Sequence, residues 1–293
     1  NIEWARALET AGVHVVYGLV GLKVHTKTAL VVRDEDDGVR RYCHVGTGNY
    51  NPRTARVYED VGLLTCDPDV GADLTQLFNY LTGYGRDVRY RRLLVSPQWT
   101  RGGIEELVRN EMRVAAEGGE LVRNEMRVAA EGGEAALTFK MNSLVDDRMI
   151  DLLYEASQAG VQIDLIVRGI CCLVPGVPGL SEGIRVRSIV GRYLEHSRIY
   201  RFANGDGPGQ ARYLIGSADL MPRNLDRRVE ALVPVVVPEL QRRLDEILAI
   251  NLADDVLAWE LGPDAVWRRV EGNGQVDTHL RLQELAQARG RRR

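Results

Sequence analysis

No run of apolar residues in this 293-residue chain approaches the ~18 to 20 needed to cross a bilayer, which excludes a membrane-spanning helix. Cysteine is scarce. Cys43, Cys66, Cys171 and Cys172 lie in apolar strand-like runs without metal-ligand spacing, and they read as reduced core residues of a cytosolic protein. An excess of either charge is missing too: 38 basic against 41 acidic residues give a formal charge of -3, so neither nucleic acid nor a membrane surface exerts a general attraction. There is no signal peptide and no initiator methionine. Asn1-Ile-Glu-Trp-Ala-Arg-Ala-Leu8 enters directly into an amphipathic helix, and the chain is expected to be the C-terminal part of a longer protein. What is abundant is arginine. It greatly outnumbers lysine and clusters around the motifs below, giving local positive potential in a near-neutral chain.

The length admits two domains, each with its own core. A helix over 2–11 and strands at Val13–Tyr17, Leu22–Arg33 and Arg40–Val45 are expected, with Asp36-Asp37-Gly38 as a hairpin turn. Asn51-Pro52-Arg53-Thr54 reads as a helix start and Val70–Leu81 as an amphipathic helix. The domain boundary falls at Leu93–Pro97, giving domains 1–92 and 93–293. The second repeats the grammar: strands at Leu137–Lys140, Val161–Val167, Ile184–Ile189, Tyr193–Phe202 and Arg212–Ile215, helices at Leu144–Ala159 (Ser143 at its N-cap, Asp146 three later) and a last one at Leu240–Leu257. Alternating strand and helix in both halves give an α/β class with two similar sheets. Residues 106–119 recur without change at 120–133. One copy is expected to dock as the helix leading into the second domain. The other is expected to bulge outward, each copy being ended by its Gly-Gly.

The chemistry lies in two separated motifs. His25-Thr-Lys27 and His196-Ser-Arg198 each put an imidazole two residues from a cation, on one face of a strand-like run. Such a pair can accept a phosphoryl group and neutralise its oxygens. Either motif alone fits a packed histidine beside a snorkelling cation equally well, but two in matching halves favour the chemical reading. His44-Val-Gly46-Thr47-Gly48-Asn49 offers glycines and donors to an anion, or a plain turn. Tyr58 can stack on a base or pack in a core, and Asp60 can orient a histidine. Lys140 projects from a strand's C-terminal end. Arg168 follows an apolar strand, where a guanidinium needs an anion. The loop Gly216-Ser217-Ala218-Asp219, with Arg223-Asn224 beyond, echoes Gly46–Asn49. His14 and His279 have no partner that the sequence names, and the basic end Arg289–Arg293 reads as a solvated tail.

His25-Thr-Lys27, Tyr42-Cys-His44-Val-Gly-Thr-Gly-Asn49, Thr54-Ala-Arg56-Val-Tyr58-Glu-Asp60, Lys140-Met-Asn-Ser-Leu-Val-Asp146, Ile166-Val-Arg168-Gly, Tyr193-Leu-Glu-His196-Ser-Arg198 and Gly216-Ser-Ala-Asp219-Leu-Met-Pro-Arg-Asn224 together resemble the catalytic part of the type 1 polyphosphate kinase family, from residue 1 to roughly 260. The resemblance implies two phospholipase D-like α/β domains, each a mixed β-sheet flanked by helices. It implies reversible transfer of the ATP γ-phosphate to inorganic polyphosphate with Mg²⁺, through a phosphohistidine on His25 with His196 as acid/base. Tyr58 and Arg168 would contact the nucleotide, while Lys27, Lys140, Arg198 and Asn49 would join the phosphate contacts, with His44, Asp60 and Asp219 in support. The partners implied are ATP, ADP and polyphosphate, the N-terminal and head domains of the full-length protein, and further copies of the chain. No nucleic acid is expected, and the location is cytoplasmic, with peripheral attachment to the inner membrane admitted.

Two departures accompany the likeness. The family's Ala-Arg-Phe-Asp-Glu-Glu segment, tied to Mg²⁺ and phosphate, precedes the equivalent of Asn1, and the N-terminal domain that helps hold the adenine is absent as well, so this chain alone is expected to bind ATP poorly and to turn over slowly or not at all. The duplication is the other. A phospholipase D-type phosphodiesterase is the rival enzyme, but its His-x-Lys-x4-Asp pattern would need carboxylates where Val32 and Ala203 stand. A non-catalytic polyphosphate- or nucleotide-binding fragment is the alternative from another class.

Overall fold

Turn chemistry and alternation build the first half. Helix α1 (Ile2–Thr10) buries no residue, and the strand expected at Val13–Tyr17 does not form: among the described residues the segment joins no ladder. β1 (Lys23–Val24) leads to β2 (Lys27–Glu35) and β3 (Gly38–Gly46), an antiparallel pair with Glu35 opposite Gly38. Gly38, at φ +109°, supplies the left-handed backbone that the Asp36-Asp37 turn requires. The structure, a computed structural model, describes residues 2–85, 89–124 and 135–291. After Asn51-Pro52 the chain makes only a 3-10 turn, Thr54–Arg56, before β4 (Tyr58–Glu59) and β5 (Gly62–Thr65), which joins β3 in a three-stranded sheet. Helix α2 (Pro68–Leu81) is capped by Asp67, whose carboxylate accepts the Asp69 and Val70 N–H groups, and it packs Val70, Leu74 and Leu77 near Cys43 and Val45.

The link between halves is held by one carboxylate. Asp73 of α2, 1% exposed, accepts the backbone N–H groups of Arg91, Arg92 and Leu93 at 2.7–3.0 Å. Asp73→Ala leaves three donors without this partner, and a loss of about 3 kcal/mol is expected in urea unfolding. An unchanged midpoint would show that the clip carries no stability.

The second half opens with β6 (Leu94–Val95) and α3 (Thr100–Asn124), then β7 (Ala136–Met141), α4 (Asp147–Gln158), β8 (Gln162–Val167) and β9 (Ile184–Ile189). Asp146, not Ser143, caps α4, accepting the Met149 N–H; Ser143 stands too far ahead of the first helical turn. β10 (Leu194–Glu195), β11 (Ile199–Phe202), β12 (Arg212–Gly216), α5 (Pro222–Asp226), β13 (Arg228–Val229) and β14 (Ala231–Pro234) follow. Helix α6 (Pro238–Ala253) is not the last element as expected: the hairpin β15 (Ala258–Leu261) and β16 (Trp267–Arg269) comes next, then α7 (Thr278–Gly290). Asp254 makes that return, accepting N–H groups from Val256, Leu257 and Ala258 on one oxygen and Thr278 on the other.

The α/β class holds, with unequal sheets. Nine strands form one mixed sheet in the order β16-β15-β9-β8-β7-β11-β12-β14-β6, parallel at β7-β8-β9. It is larger than its three-stranded partner partly because β15–β16 extends its edge. Helices α3 and α4 cover one face, where the Phe139 ring meets Tyr200 and Phe202 edge-on at 5.1 Å. On the other face Ile199, Ile215 and Val233 meet α2, α6 and the small sheet. Only Cys43 belongs to the core. Cys171 is half-buried, Cys66 and Cys172 are exposed, and all four are free; Cys66 lies at the end of its apolar run, and Cys172 is exposed although its run is apolar. Among the described residues no helix is long and apolar enough to cross a membrane.

The first repeat copy is the one that docks. Leu107, Val108 and the 0%-exposed Glu111 lie inward, with Glu111 accepting from Asn204 and Ala136. Docking also uses Gly103 and Ile104 just ahead of the copy: a Cβ at Gly103 would sit 2.6 Å from Leu94 Cδ2, and Ile104 is fully buried. The matching positions ahead of the second copy are Glu117 and Gly118, which offer neither the gap nor the side chain. Gly118-Gly119 lies within α3 rather than ending it, since glycine weakens a helix without stopping it. The bulge expected of the second copy falls mostly at 125–133, outside the described residues.

Candidate active site

Both histidine motifs interrupt a strand, and in both the chain changes partner. The expected runs Leu22–Arg33 and Tyr193–Phe202 break at His25–Thr26 and at His196–Arg198. β1 pairs in parallel with β13 of the other half, Val24 opposite Val229, which brings His25 level with Glu230. β10 likewise pairs in parallel with β4, Glu195 opposite Glu59, which brings His196 level with Asp60. Each histidine is therefore strapped to a carboxylate supplied by the opposite half.

His25 Nδ1 lies 2.9 Å from both oxygens of Glu230, a fully buried carboxylate that also accepts from Asn224 Nδ2 at 2.7 Å. An acceptor there fixes the proton on Nδ1 and leaves the lone pair on Nε2. Lys27 Nζ donates to that Nε2 at 2.9 Å and to the His25 carbonyl at 2.6 Å. Burial pulls the Lys27 pKa down to about 8 against the attraction of Glu230, and the nearby Arg198 adds to the fall. The second motif repeats the row. His196 Nδ1 meets Asp60 Oδ1 at 2.7 Å, and Arg198 Nη1 lies 3.3 Å from both ring nitrogens. Burial lowers the His196 pKa despite Asp60, with Arg198 and Lys27 assisting, so the ring is a neutral base at neutral pH. Lys27 feels Arg198 and Asp60, and His196 feels Lys27: the two rows share one cleft.

Loops complete the cleft. Thr47 donates to Asp60 at 2.7 Å, and a Cβ on Gly48 would stand 2.3 Å from Asp60 Oδ2, so only glycine fits. Asp219 holds Arg198 with two bonds, 3.2 and 3.0 Å, and accepts the Asn142 N–H. Although burial opposes it, Arg198 keeps the Asp219 carboxyl below its ordinary pKa. The Tyr58 ring packs 4.7 Å from the His196 ring. Arg168 donates to Asn142 Oδ1 at 3.2 Å and, among the described residues, forms no ion pair; burial and then Arg198 lower its pKa, the condition of a cation awaiting an anion.

Three expected site residues stand apart. Asn49 is exposed, and His44 lies on the other side of its loop, bonded to the Tyr50 hydroxyl at 2.5 Å. Lys140 is buried and spends its donors on Glu59, Glu195 and Ser197 at 2.9, 2.5 and 2.7 Å. His279, partnerless in the sequence, is buried with Nε2 2.7 Å from Glu195. Glu230 was missed. Its signal was the echo between halves, since each acid follows the loop hydroxyl, Thr47 or Ser217, by the same thirteen residues.

Among the described residues no three metal-ligating side chains gather. The nearest carboxylates, Asp60, Asp219 and Glu230, are each taken by an imidazole or a guanidinium, so the chain's own side chains do not form a cage for Mg²⁺.

Lys27 gives the cleft a pH dependence. A bound polyanion favours its protonated form, so tripolyphosphate affinity should fall about tenfold between pH 7 and 9 relative to Lys27→Met, read by calorimetry. Stability runs the other way. With a folded pKa of about 8 against an ordinary 10.5, the folded chain holds fewer protons across that window, and stability rises with pH there. A pH-independent difference between wild type and Lys27→Met would contradict both.

Fold and cleft define an α/β protein with paired histidines in a cation-lined site, each oriented by an acid. A family model described as polyphosphate kinase C-terminal domain 1 matches residues 1–87, and one described as C-terminal domain 2 matches 111–283. The chain belongs to the polyphosphate kinase family. It is 58% identical to the polyphosphate kinase of Mycobacterium avium (strain 104) over 286 residues, 97% of this chain, and 57% identical to that of Synechocystis sp. over 267 residues, 91% of it. It spans only 37% and 34% of those relatives' lengths. The crystal structure of polyphosphate kinase from Porphyromonas gingivalis matches with a TM-score of 0.84 at 36% identity, covering 100% of this chain and 43% of that one.

Proposed function

We propose that this chain carries the catalytic centre for reversible transfer of the ATP γ-phosphate to inorganic polyphosphate, with His25 as the phosphoryl carrier. The observation that carries the reading is the Glu230–His25–Lys27 row, in which Glu230 holds the proton on Nδ1 and the Nε2 lone pair faces only the displaceable Lys27 ammonium. In the first half-reaction Nε2 attacks the γ-phosphorus, the P–N bond forms and the β,γ P–O bond breaks, releasing ADP. In the second, a terminal oxygen of polyphosphate attacks that phosphorus, the P–N bond breaks and the polymer gains one unit. Reversal makes ATP from ADP.

Lys27 turns from Nε2 to the arriving phosphoryl oxygens, and Arg198 and Arg168 face the same charge. His196, neutral and held by Asp60, takes or returns the proton on the attacking or leaving phosphate oxygen. Tyr58, beside His196, contacts the nucleotide. Mg²⁺, carried on the nucleotide phosphates, would supply further neutralisation of their charge. The test is to supply labelled ATP and then, separately, ADP with polyphosphate. Polymer growth in one direction and ATP formation in the other are expected; hydrolysis of ATP to ADP and free phosphate with no polymer formed would contradict the transfer reading, and cleavage of a phosphodiester substrate would favour the phosphodiesterase one.

A further inference from the structure

Behind the His196 row lies a largely buried charge cluster. Glu59 and Glu195 stand opposite each other on the parallel pair β4–β10, one residue before Asp60 and His196. Glu195 is 3% exposed, and facing carboxylates on adjacent strands repel. Lys140, 1% exposed, reaches both from β7, at 2.9 and 2.5 Å, while Ser197 donates to Glu59 at 2.6 Å. His279 closes the far side. Its Nδ1 accepts the Tyr193 N–H at 3.3 Å, and its Nε2 lies 2.7 Å from Glu195 Oε1. One cation thus sits between two anions, hydrogen-bonded to Glu59 and Ser197 and ion-paired with Glu195.

From this geometry we propose that Lys140 is a positioning residue for His196: it draws Glu59 and Glu195 together, and so fixes the strand pair whose next residues are Asp60 and His196. The role differs from phosphate neutralisation, because Lys140 is buried and its charge is matched by Glu59 and Glu195. The pair is short, with two residues on each strand, so nothing further along it can absorb a separation at the glutamates. Without Lys140 the two carboxylates separate, and the 2.7 Å Asp60–His196 bond opens with them. That His196 then matters to turnover rests on the function proposed above, but its placement does not.

The test therefore reads the ring itself. In wild type, Lys140→Met and Lys140→Met/Glu59→Gln, imidazole nitrogen NMR follows the titration of His196, which faces Asp60, Arg198, Lys27 and the Tyr58 ring. The double variant keeps the cluster's net charge and removes the repulsion without restoring a cation. Loss of the Asp60 bond should lower the His196 midpoint by about one pH unit in the single variant, and the double variant should return it toward wild type. A folded single variant with the wild-type midpoint overturns the proposal, as does a double variant displaced as far as the single. If Lys140→Met does not fold, the double variant alone decides, by a wild-type midpoint or a displaced one. Phosphoenzyme formation by wild type, measured in parallel, reports separately on the proposed function.

Discussion

His25→Ala is expected to abolish exchange of labelled ADP into ATP, a loss on the order of 10⁶-fold, the scale set by removing a nucleophile that works as one unit with its partners. The exchange needs only the first half-reaction and its reversal, so it isolates His25 from polymer elongation. The substitution also strips Glu230 of a partner. That carboxylate is fully buried, and Asn224 would remain at 2.7 Å with Arg228 at 4.0 Å, too little to satisfy a charge on its own. His25→Ala should therefore stay folded with some loss of stability, while His25→Asn, whose amide can still donate to Glu230, should lose the exchange at a smaller cost in thermal midpoint. Exchange at the wild-type rate in either variant would remove His25 from the chemistry.

Glu230→Gln carries the second largest effect. An ionised carboxylate can only accept, and it dictates which imidazole nitrogen holds the proton. An amide can present its N–H group instead and turn the ring's lone pair inward, away from the phosphorus. The loss in kcat for phosphoenzyme formation is expected to be about 10³- to 10⁴-fold, with KM for ATP little changed, as for other acids that fix a catalytic histidine's tautomer. Asp60→Asn makes a useful comparison because it disturbs the corresponding acid of the other row, 2.7 Å from His196. A rise in KM with kcat intact would show that Glu230 serves binding rather than orientation.

These two residues mark how far the sequence could be read. His25 and Lys27 were legible because their chemistry lies within three residues of chain, as was His196 with Arg198. The class and most strands of the nine-stranded sheet followed from alternation. Glu230 was hidden because it reaches His25 across 205 positions, through a pairing of only two residues between β1 and β13. Short parallel straps have no periodicity to reveal them. The same ambiguity hid the true surroundings of Lys140: a lysine at the end of a strand looks alike from the sequence whether it faces a phosphate or two glutamates. His279 shows the point from the other end, since its partner Glu195 lies on an element 84 positions away.

The symmetry of the straps gives the site its rigidity. Neither half can orient its own histidine, so the cleft exists only when the halves are docked. Each imidazole is held at Nδ1 by an acid and met at Nε2 by the cation of its own motif. That preorganisation is what phosphoryl transfer asks of a protein: little covalent work, and charges already in place.

The most direct measurement is to incubate the chain with γ-labelled ATP and Mg²⁺, quench, and locate the label by peptide mass spectrometry. An acid-labile phosphoryl group is expected on His25 and none on His196. A label on His196, or on a serine or carboxylate in place of His25, would contradict that expectation.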